Sequence, residues 1–158
     1  MALLLRGGLL ITMNAERAVL TADILVEGDR IAALAPDLPP ADSAGVPLTL
    51  EDVVDLSGKV VIPGLIQGHM HLTQALCRGL CDDLALMEWL RERIWPLEGA
   101  HSAASNAVSA RLAAAELLRS GTTAVIDMGT VHHEDAIFET MRDVGMRGLF
   151  GKSLMDGG

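Results

Sequence analysis

The stretch Val60-Val61-Ile62-Pro63-Gly64-Leu65-Ile66-Gln67-Gly68-His69-Met70-His71 decides how the rest of the chain is read. The β-branched run Val60 to Ile62 predicts a short buried strand, a Pro-Gly break follows, and then come two histidines with one residue between them. Side chains at i and i+2 of an extended segment project to the same side, so His69 and His71 can offer both imidazoles to one point. Two neutral imidazoles about 2 Å from a common centre make half of a tetrahedral zinc site. Sites in α/β proteins form at the carboxyl ends of strands, which favours metal ligation over a chance pair of histidines.

Upstream of this stretch the chain reads as short strands. Leu9 to Met13 is one, and Asp23 to Glu27 pairs with Arg30 to Leu34 across Gly28-Asp29, a loop suited to a type II′ turn because glycine accepts the positive φ. The segment from Pro36 to Pro47 is rich in proline and reads as an exposed loop, and Val53 to Leu56 returns to strand. Downstream, Leu86, Leu90 and Ile94 recur at helical spacing, which predicts one short helix from Met87 to Trp95 stopped by Pro96. A longer helix spans Ala103 to Ser120, with Ser102 as N-cap, Gly121 past its end, and Val108, Leu112, Ala115 and Leu118 on one face. Thr123 to Asp127 is a second core strand, Ile137, Met141 and Val144 mark the next helix, and Gly148 to Gly151 begins a third strand. Strand and helix alternating at this spacing predict an α/β fold with a parallel sheet and right-handed crossovers. The expected organisation is a β segment over residues 1–59 and an α/β domain over residues 60–158.

A chain of 158 residues that is 50% hydrophobic and 21% charged has the composition of a globular protein. Its formal charge of −9, with no basic block, excludes a nucleic-acid-binding role, since phosphate contacts dominate that affinity. No run approaches the roughly 18 apolar residues of a membrane span. Nor does the start carry a basic segment, a long apolar stretch and a small-residue cleavage site, so a cytoplasmic protein is expected. Cys77 and Cys81 have two readings: reduced thiols near one helical face, or partners of His69 and His71 in a closed structural zinc site. The second would make the chain a small non-catalytic zinc module.

The run Asp55 to Gly64 followed by His69-Met70-His71 resembles the opening of the amidohydrolase superfamily. Asp82 to Leu90 and Ile94-Trp95-Pro96-Leu97-Glu98 resemble its aminohydrolase branch, which includes guanine deaminase, S-adenosylhomocysteine deaminase and the triazine hydrolases. The similarity continues through Gly121-Thr122-Thr123 to the run Gly151 to Asp156. The resemblance implies a TIM-type β/α barrel preceded by half of a small β-sandwich. Such a barrel normally needs about 250 residues, so the barrel is incomplete in this chain, which is expected to be the front portion of a larger protein. Three strands cannot close a barrel, and the uncovered apolar surface leads us to expect a homodimer or other association.

The resemblance further implies one metal ion, zinc with iron as the alternative, held by His69 and His71 and by ligands on later strands. Zinc brings the pKa of a bound water to about 7 and so supplies hydroxide at neutral pH. The implied reaction is deamination of a small-molecule nitrogen heterocycle such as a purine, with hydrolysis of a cyclic amidine, amide or triazine as the alternative. No catalytic acid or base is assigned within this chain.

Gln74 lies three residues past His71, as does a glutamine in guanine deaminase that bonds the purine edge; it is either a substrate contact or an ordinary loop residue. Trp89 is either a flat wall for an aromatic substrate or core packing, and Arg78 either marks a relation to the adenosine-type deaminases or holds its loop. His132, His133 and Asp127 either line the pocket mouth or serve as capping and exposed residues. Lys152 falls at the end of the third strand and reads as structural, whereas the relatives that carboxylate a lysine use one on the fourth strand. Asp156 closes a motif shared with guanine deaminase.

Overall fold

Gly28, at φ +60°, is the one residue of its two-residue turn in the positive-φ region, as a type II′ loop requires. It joins β2 (Val19–Glu27) to β3 (Arg30–Ala35), with Glu27 opposite Arg30. The computed structural model describes residues 1–155. β1 (Ala2–Ile11) pairs antiparallel with β2 and parallel with both β4 (Val53–Asp55) and β5 (Val60–Val61). The expected hairpin is therefore present, inside a five-stranded sheet of order β3-β2-β1-β4 with β5 also on β1. Leu10, Ala22 and Ile24 form its core, with Leu5, Leu20, Val26 and Val61 against them. The register of β1 breaks between Leu5 and Gly8, and Gly7 there has φ +70°. That irregularity frees the Gly7 amide to donate to the buried Asp23 Oδ1 at 2.9 Å. Asp23 Oδ2 accepts from Leu38 N at 3.1 Å, which ties the proline-rich loop to the sheet.

Val60 and Val61 depart from the expected role. They pair with Leu9 and Leu10 of β1, and Val60 is 57% exposed, so this run does not open the second sheet. Pro63 has no N–H to offer a ladder, and the first strand of the second sheet begins beyond it, at Leu65. The chain accordingly separates into one compact unit over Met1–Pro63 and a second from Gly64 onward, four residues later than the boundary expected at 59/60.

In the second unit β6 (Leu65–Met70), β7 (Thr122–Asp127) and β8 (Arg147–Phe150) are parallel, in the order β6-β7-β8. Among the described residues four α-helical segments accompany them: α1 (Leu86–Trp89), α2 (Trp95–Gly99), α3 (Ala103–Arg119) and α4 (Glu134–Val144). Parallel neighbours require long crossovers, and α3 and α4 provide them. Ser102 caps α3 by accepting from Ser105 N, and α4 stops at Gly145, whose φ is +76°.

Two helix expectations are corrected. Pro96 does not stop the first helix, because a π-helical turn at Leu90–Ile94 widens the backbone ahead of it and α2 carries Pro96 in its first turn. On α3 the face with Val108, Leu112, Ala115 and Leu118 is the exposed one. The buried face is Asn106, Ser109, Ala110, Ala113, Ala114 and Leu117, whose small side chains let the helix approach closely. That face joins Leu72, Val125, Ile137 and Met141 in the core of the unit. Among the described residues no helix is long and apolar enough to cross a membrane.

Candidate functional site

His69 lies on β6, one residue before its last, and His71 follows the strand as the residue that opens a 3-10 turn, Leu72–Cys77. The i, i+2 spacing does what extended geometry requires: the two rings stand with centroids 5.1 Å apart, edge to face at 79°. His69 is exposed and His71 half-buried. Burial, and then the neighbouring His69, hold the His71 pKa below the ordinary imidazole value, while Glu98 opposes the shift. The neutral ring is the form that coordinates a metal, and His71 Nδ1 is buried with no hydrogen-bond partner among the described residues. An uncommitted nitrogen beside a second imidazole fits two positions of an imidazole-ligated zinc ion.

Among the described residues no three His, Cys, Asp or Glu side chains converge as a complete metal site. His69, His71, Cys77 and Cys81 therefore do not assemble into the closed site weighed above. Cys77 Sγ instead lies 3.9 Å from His101 Nε2, and burial with Cys81 and Glu98 nearby pushes its thiol pKa up.

Gln74 and Trp89 come together with His71. All three line one cleft of about 270 Å³, shared with Leu90, Trp95 and Glu98. Gln74 Nε2 donates to Glu98 Oε1 at 2.8 Å, which leaves the amide oxygen uncommitted to that contact. Glu98 was not singled out from the sequence. Its signal was the motif Ile94 to Glu98, read there only as part of a resemblance. Arg78 braces the turn, donating to Ala75 O at 3.2 Å and to Glu116 Oε1 at 2.8 Å.

His132 and His133 are exposed, with centroids 6.5 Å apart. His132 lines a neighbouring cleft with Trp95, Glu98 and Thr130, whereas His133 precedes α4 with φ +60°. Lys152 is exposed, and Asp156 lies outside the described residues. Asp127 is 2% exposed. Burial pushes its pKa up to about 6 against the lowering effect of the Leu72 and Gly129 amides, and Oδ2 has no partner among the described residues. Glu134 is pushed up to about 7, chiefly by burial, with Thr130 N donating to its Oε2 at 2.9 Å.

Beside this parallel α/β sheet with paired imidazoles at a strand end, residues 60–157 match the amidohydrolase family. The chain belongs to that family. It is 37% identical over 156 residues to the 5-methylthioadenosine/S-adenosylhomocysteine deaminase of Thermococcus kodakarensis, covering 99% of this chain and 34% of that protein. The chain thus spans about a third of the length of the curated relatives it matches. Its structure is similar to that of atrazine chlorohydrolase from Arthrobacter aurescens TC1 complexed with zinc: TM-score 0.81, 28% identity, 99% of this chain and 36% of that one. An adenosine deaminase from Xanthomonas campestris with bound zinc matches with TM-score 0.80 and 31% identity, over 94% of this chain and 33% of the other.

Proposed function

We propose that this chain is the amino-terminal part of a zinc-dependent hydrolase of non-peptide carbon–nitrogen bonds that deaminates a purine or related nitrogen heterocycle. The observation that carries this reading is the His69–His71 pair at the end of β6, with rings 5.1 Å apart, in a chain of this family. In this reading β6, β7 and β8 are the opening strands of a TIM-type barrel, and the sheet of the first unit is half of a β-sandwich. His69 and His71 supply neutral nitrogens to one zinc ion. When bound, zinc supplies the Lewis acidity that brings the ionisation of water into the neutral range. Gln74 presents its amide to the edge of the heterocycle, able to donate and accept at once, while Glu98 fixes its orientation from behind. Trp89 walls the same cleft. The remaining ligands and the general acid–base belong to strands outside this chain, and the chain alone is inactive. The similarity to the atrazine chlorohydrolase structure favours one second reading, attack on a triazine-type ring with another leaving group.

The test is zinc content by elemental analysis of the chain and of a His69→Ala/His71→Ala variant, with ammonia release from guanine, adenosine and S-adenosylhomocysteine. Zinc present in the parent, lost in the variant, and no ammonia from either is the expected result. Ammonia from the parent chain would instead put the missing groups among residues described above as structural. Equal zinc in both proteins would end the ligand assignment.

A further inference from the structure

His71 lies past the last pair of the β6–β7 ladder, Met70 opposite Asp127, and its φ of −128° and ψ of 89° belong to neither a regular strand nor a helix. Its backbone is fixed from both sides, because the peptide groups before and after its Cα are each hydrogen-bonded. The group before it is fixed by Met128 N, which donates to Met70 O at 2.8 Å. The group after it carries the Leu72 N–H, and Asp127 Oδ1 accepts that proton at 2.9 Å. A side chain replaces the backbone acceptor that the ladder no longer offers. Rotation about ψ of His71 would break this bond, because the Leu72 N–H turns with it.

A second element holds the same peptides from the other direction. Ser109, on the buried face of α3, places Oγ 2.7 Å from Leu72 O and 2.9 Å from Thr73 O, sharing its proton between them. The Thr73 hydroxyl donates to Asn106 Oδ1 at 2.7 Å, and Asn106 Nδ2 donates to His132 O at 3.1 Å. Thr73, Asn106 and Ser109 are fully buried. This explains why α3 turns Asn106 and Ser109 inward while it leaves Val108 and Leu112 in solvent. Buried polar groups of this kind are retained where they are paired, and here each is paired to the turn that begins at His71.

We propose that Asp127 and Ser109 are positioning residues for His71. Asp127 sets ψ of His71 and Ser109 anchors the turn behind it, so that the imidazole leaves the backbone in the direction that meets His69. This rests on the reading of His69 and His71 as zinc ligands. Neither residue touches the metal or the substrate; both act through the backbone.

The experiment measures Zn²⁺ affinity of the 158-residue chain by competition with a chromophoric chelator, with imidazole ¹H–¹⁵N spectra recorded on the same samples. Asp127→Ala should weaken binding about tenfold or more, in the range lost when groups that orient a metal ligand are removed. Asp127→Asn keeps an oxygen that accepts the Leu72 N–H and should stay within about threefold of the parent. Met141→Ala, a cavity in the same core at a residue on α4 that makes no hydrogen bond to this turn, should lower the melting temperature and leave affinity unchanged. If Asp127→Ala does not fold, Ser109→Ala carries the test, with an expected loss of several-fold. Parent-like affinity in Asp127→Ala or Ser109→Ala, with loss in His71→Ala, would overturn the positioning role and leave the ligands standing. A loss in Met141→Ala as large as in Asp127→Ala would reduce the effect to stability and overturn it too. If His69→Ala and His71→Ala bind zinc as the parent does, the ligand reading fails and the inference falls with it.

Discussion

Glu134 shows how a single carboxyl can set a pH dependence. Its pKa is pushed up to about 7 by burial, with Asp127, Asp135 and Glu98 adding repulsion and the Thr130 amide opposing. Unfolded, it titrates near 4.5. Between those values the folded state binds the extra proton, so this group favours folding at low pH and costs stability as pH rises through 7. His71, with a lowered pKa, acts in the opposite sense below its ordinary value, so the Glu134 contribution is read as a difference between proteins. Glu134→Gln keeps an oxygen for the Thr130 amide and removes the charge. Its melting temperature should exceed that of the parent at pH 8, with the gap closing by pH 5 in thermal melts by circular dichroism. A gap that does not change with pH would show that Glu134 is an ordinary carboxylate in the folded protein.

At the scale of the element, α3 carries the sharpest contrast between its two faces. Ala113 is 1% exposed against the sheet, so Ala113→Leu forces methylenes into a filled space and should cost about 1–3 kcal/mol in chemical denaturation. Val108 is 52% exposed, and Val108→Lys should change stability by no more than about 0.5 kcal/mol. The opposite ranking would restore the helix face expected from apolar periodicity. Ser102→Ala removes the cap on Ser105 N and should cost about 1 kcal/mol. Apolar periodicity misread this helix because Asn106 and Ser109 are buried for their hydrogen bonds, which a hydrophobicity pattern does not register. The π-helical turn before Pro96 was hidden for a related reason: a proline forbids one local hydrogen bond but does not say whether the chain will widen to pass it.

At the scale of the whole molecule, the three-stranded sheet is open. Ile66 is 73% exposed, Ile126 39% and Leu149 69%, and β6 and β8 each pair on one side only among the described residues. Apolar side chains beside unpaired strand edges are the surfaces through which chains associate. The 158-residue chain should therefore elute as a dimer or larger species in light scattering and bind a hydrophobic dye. Ile66→Lys/Leu149→Lys should reduce both signals. A monodisperse, cooperatively melting parent that binds no dye would count against an open, uncovered sheet.

The sequence by itself determined what depends on near neighbours along the chain. The Gly28 turn, the alternation of helices and strands from Ala103 onward, the cap at Ser102, and the pair of imidazoles all follow from spacing and local backbone preference. The family resemblance was carried by motifs of the same local kind. Only the tertiary structure decided which strand Val60 and Val61 join, which face of α3 is buried, and what Asp127 and Glu98 do. Asp127 accepts from Leu72, 55 positions away, and Glu98 holds Gln74 across 24. Such pairings depend on where the folded elements converge, and no periodicity in a single chain records that.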